Sequence, residues 1–65
     1  MEQEWVVIAH FTDDVKSQIA VDMLLMNDIE AVSVNKRDSI YMFGDIELCV
    51  HRDNVIIAKQ IIKDL

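Results

Sequence analysis

The apolar pattern of this chain falls into five segments, and their order leaves few folds open. Trp5 to Ala9 is apolar on both alternations; Val15 to Met26 repeats at intervals of three and four; Ile29–Asn35 and Asp45–His51 alternate; Ile57 to Leu65 returns to three and four. Successive side chains on a strand point to opposite faces, whereas residues three or four apart on a helix share one, so these periods mark strands and helices. The predicted order is β-α-β-β-α, with strands over 4–10, 29–35 and 44–51 and helices over 13–27 and 54–64.

Local signals agree with that division. Thr12 offers a hydroxyl to cap the first helix, with Asp13 and Asp14 placed where carboxylates complement the helix dipole. Val15, Ile19, Ala20, Met23, Leu24 and Met26 form its expected buried stripe, and Asn27-Asp28 supplies side chains that tolerate a left-handed end where glycine is lacking. Gly44, the only glycine, marks a turn or bulge before the third strand. Asp53 caps a last helix whose Ile57, Ala58, Ile61, Ile62 and Leu65 face inward, with Lys59 and Lys63 outside.

Sixty-five residues suffice for a single domain. A core that small yields only about 3–5 kcal/mol, so such domains recruit disulfides, metals or a partner subunit. Cys49 is the sole cysteine, which excludes an internal disulfide and suits a reducing compartment. The apolar runs are far shorter than a bilayer span, and Met1-Glu2-Gln3-Glu4 is acidic where a secretory leader is basic, so a cytoplasmic location without membrane contact is expected. The net charge of −6 disfavours nucleic acid and anionic lipid as partners. Residues 1–30 hold seven acids and one base while the rest is balanced, an asymmetry that keeps the chain solvated or favours a basic partner.

Two helices on one face of a three-stranded sheet bury these stripes economically. The expected fold class is α+β: a split ferredoxin-like two-layer sandwich in strand order 1-3-2, the middle strand parallel to the first and antiparallel to the second. The first strand is then an edge open to a further strand. The face away from the helices is expected to carry Glu47, Cys49 and His51, Ser33 and Asn35, and either Val6, Ile8 and His10 or Trp5, Val7 and Ala9. Val6, Val7, Ile8 and Cys49 are accordingly the candidate interface through which the chain forms a homo-oligomer, expected to be a dimer.

The element order and several positions resemble the prokaryotic signal-transducing protein family, a set of small bacterial domains. The likeness runs through Trp5-Val6-Val7, Thr12, Leu24-Leu25, Ile29-Glu30-Ala31, Asp38-Ser39, Gly44 to Leu48, Val50, Asp53, Ala58 and Ile61-Ile62. It implies a β-α-β-β-α fold similar to PII-like signalling domains, and brings no catalytic or ligand residues with it. One departure is Asp28, where the family usually has glycine before the isoleucine that opens the second strand.

Chemistry-bearing constellations are sparse. Cys49 and His51 share a strand face, and His10 and Glu47 could complete a zinc set, yet the CxxC or HExxH spacing of a strong metal motif is missing. Cys49 as nucleophile would need a base and a cleft that so thin a fold scarcely provides. One glycine cannot build a phosphate-cradling loop of the GxGxxG or Walker type. Asp13 and Asp14 are explained by the helix start. No enzyme activity, cofactor or metal is expected.

The connection Lys36 to Phe43 stands out, because Ile40-Tyr41-Met42-Phe43 is apolar where a hairpin connection is ordinarily polar. It either extends the neighbouring strands into the core or forms a recognition surface, with Lys36, Arg37, Asp38, Tyr41 and Phe43 as candidate binding residues. The expected function is a non-enzymatic regulatory or protein-interaction module in signal transduction, self-associating through the sheet edge or open face and binding an unidentified protein. The alternative is a PII-like sensor holding a small molecule between subunits.

Overall fold

A computed structural model describes residues 4–35 and 46–65 of the chain. Strand β1 spans Trp5–Phe11, helix α1 Asp14–Leu25, β2 Ala31–Asn35 and β3 Ile46–His51; a 3-10 turn at Arg52–Asn54 leads into α2, Val55–Ile61. The fold is α+β, with the expected β-α-β-β-α order and a three-stranded sheet in the order β1-β3-β2.

Strand direction differs from the expectation: β3 is antiparallel to β1 as well as to β2. Connectivity requires it. The crossover through α1 makes β1 and β2 run the same way, so a strand that follows β2 and lies between the two opposes both.

Helix α1 is capped by Asp13 rather than Thr12. Asp13 has extended backbone angles, φ −118° and ψ 124°, and its Oδ1 accepts a hydrogen bond from the Val15 N–H at 2.9 Å. That satisfies one of the donors a helix start leaves over. At the other end the Ile29 N–H donates to the Leu24 carbonyl at 2.9 Å and the Asp28 N–H to that of Leu25 at 3.0 Å, a Schellman closure. Asn27 Nδ2 donates to the Met23 carbonyl at 2.8 Å. Asp28 is the left-handed residue this closure demands, with φ 63°. A Cβ in that region carries a steric penalty that glycine lacks. Asp28→Gly should therefore raise stability by about 0.5–1 kcal/mol, read as a higher urea midpoint at unchanged slope.

The buried side of α1 consists of Ser17, Ala20 and Leu24, with Val21 partly covered beside them. Ser17 enters the core because its hydroxyl donates to the Asp14 carbonyl at 2.9 Å. The expected stripe was thus rotated: Ala20 and Leu24 belong to it, while Val15, Ile19 and Met26 are exposed. On α2 and in the turn that follows it, Ala58 and Ile62 are buried and Val55 and Ile61 half-buried, whereas Ile57 and Leu65, expected inside, are exposed. Leu24, Ile29, Leu48, Val50, Ala58 and Ile62 form one continuous core, so both helices lie on the same face of β3.

The other face of the sheet is set by register. Trp5 opposes His51, Val6 Val50 and Val7 Cys49, but Ala9 opposes Leu48, because β1 bulges between Val7 and Ala9. A bulge adds one residue and reverses the alternation beyond it. Trp5 and Val7 before the bulge therefore share the open face with His10 after it, and Val6, Ile8, Ala9 and Phe11 turn toward the helices. Neither regular alternation expected for β1 is followed throughout. On β2, Val32 opposes Cys49 and Val34 opposes Glu47, which places the valines, not Ser33 and Asn35, on the open face.

Candidate functional site

The open face, over which no helix of the described residues lies, centres on Cys49, buried on the middle strand. Val7 on one side and Val32 on the other are its register partners. Around it, Trp5, Val7, Val32 and Val34 are each 40% or 41% exposed. Residues on adjacent strands lie about 5 Å apart, so these side chains form one apolar patch across all three strands.

Polar groups frame that patch. At one end the Trp5 indole stacks on the His51 imidazole, with ring centroids 4.2 Å apart and planes 28° from parallel. His51 Nε2 lies 2.9 Å from Glu30 Oε1, so the ring donates to a carboxylate just ahead of β2. The three residues tie the end of β3 to both edge strands. Beside them the Arg52 N–H donates to the Glu4 carbonyl at 3.0 Å, and Arg52 Nη1 pairs with Glu4 Oε1 at 3.1 Å. Both side chains of that ion pair are well exposed, so it adds at most about 1 kcal/mol. At the other end His10 and Glu47 are register partners.

Of the four residues expected at an interface, Val7 and Cys49 lie on the open face, and Val6 and Ile8 face the helices. The candidate binding residues Lys36, Arg37, Asp38, Tyr41 and Phe43 lie outside the described residues. Trp5, Val32 and Val34 were not expected together on this face. The β2 alternation Val32-Ser33-Val34 contains them, but alternation alone does not say which set faces the helices.

The arrangement is poor in reactive geometry. Among the described residues no three His, Cys, Asp or Glu side chains gather closely enough to hold a metal ion. His51 is turned to Trp5 and Glu30, and Cys49 sits between two valines. An open cleft of about 430 Å³ lies at the junction of β1 and α1, lined by His10, Phe11, Thr12, Asp13, Lys16 and Leu65. Its size suits a small molecule. Among the described residues no helix is long and apolar enough to cross a membrane.

Comparison of the chain with family models, curated proteins and solved structures finds no match.

Proposed function

We propose that this chain is a non-enzymatic regulatory module, of the prokaryotic signal-transducing kind its residues resemble, that works in the cytoplasm by pairing with a second copy across its open sheet face. The supporting observation is the patch of Trp5, Val7, Val32 and Val34 around the buried Cys49. A sheet face left to water ordinarily carries polar residues, and a contiguous apolar one marks a contact surface. His10, Glu30, Glu47 and His51 give the frame both imidazole and carboxylate groups, which allows the surface to meet itself about a two-fold axis.

Between the two routes of association considered from the sequence, the geometry favours the face over the edge. Strand addition to β1 needs a regular row of outward backbone groups, and the bulge between Val7 and Ala9 interrupts it. Face-to-face packing uses side chains and is untouched by the bulge.

Native mass spectrometry of the full chain tests this reading. The Val7→Glu/Val32→Glu variant places carboxylates on both sides of Cys49 and should lose the face-to-face pairing, while Asp64→Asn should leave the subunit count of the parent. Equal behaviour of the two variants, with far-ultraviolet circular dichroism confirming that both are folded, would rule the face out. The same spectra report any retained small molecule. A bound mass lost on Lys16→Ala would favour the sensor reading, with the His10-to-Lys16 cleft as its site.

A further inference from the structure

We draw no further inference here: the strongest candidate, the exposed apolar side of helix α1 formed by Val15 and Ile19 with Met26 at its end, is an unpartnered surface, and nothing in the structure shows what covers it.

Discussion

Replacing Leu48 by alanine is expected to leave the chain unfolded in dilute buffer at room temperature. Leu48 has no exposed surface, sits on the central strand and belongs to the cluster that joins both helices to the sheet. Truncating a buried leucine costs about 2–5 kcal/mol, from the lost transfer of its methyl groups and the cavity left behind. A core of this size nets about 3–5 kcal/mol, so the loss is comparable to the whole stability. Thermal melts followed by circular dichroism should show no cooperative transition for Leu48→Ala. Val34→Ala, which removes two methyl groups from the half-exposed face, should melt close to the parent. A cooperative melt of Leu48→Ala near the parent's midpoint would mean that the core lies elsewhere.

Ala58→Leu should destabilise although it adds apolar surface. Ala58 is wholly enclosed where α2 meets the sheet, and the absence of a longer side chain lets the helix approach that closely. Three additional carbons must either displace the helix or force neighbours off their rotamers, at a cost of about 1–3 kcal/mol. In a domain this small each kcal/mol lowers the melting temperature by about 4–8 °C. Ile57→Leu, on the exposed side of the same helix, should shift it by far less. If Ala58→Leu melts at or above the parent, there is unfilled space beneath α2.

Much of this architecture was legible before any coordinates, because periodicity is a property of single segments. The element order, Asp13-Asp14 at the start of α1 and the strained Asp28 all follow from residues close together in the chain, and the strand order follows from the connections between elements. What was misread is relational. The direction of β3 is fixed by the crossover and the strand order together and by no local pattern. The open face was misassigned at β2 because Val32-Ser33-Val34-Asn35 offers two alternations, and only pairing with Cys49 and Glu47 selects the valines. At β1 a single bulge combined halves of two regular patterns, and no glycine there announced it.

Helix α1 shows how composition hides orientation. With apolar residues nearly all round, its stripe could be drawn through Val15 and Ile19 as readily as through Ser17, Ala20 and Val21. The choice fell to the smaller residues because alanine and serine permit a closer approach to the sheet, and Ser17 has a backbone acceptor within its own helix.

Trp5 is the chain's only tryptophan, and it lies on the open face against His51. Indole emission depends on how much water reaches the ring and on what touches it, and here both are set at the rim of the patch. Tryptophan fluorescence, excited to the red of tyrosine absorption, therefore reads this surface alone. A covered face and a bare one can be told apart optically, in the unlabelled protein.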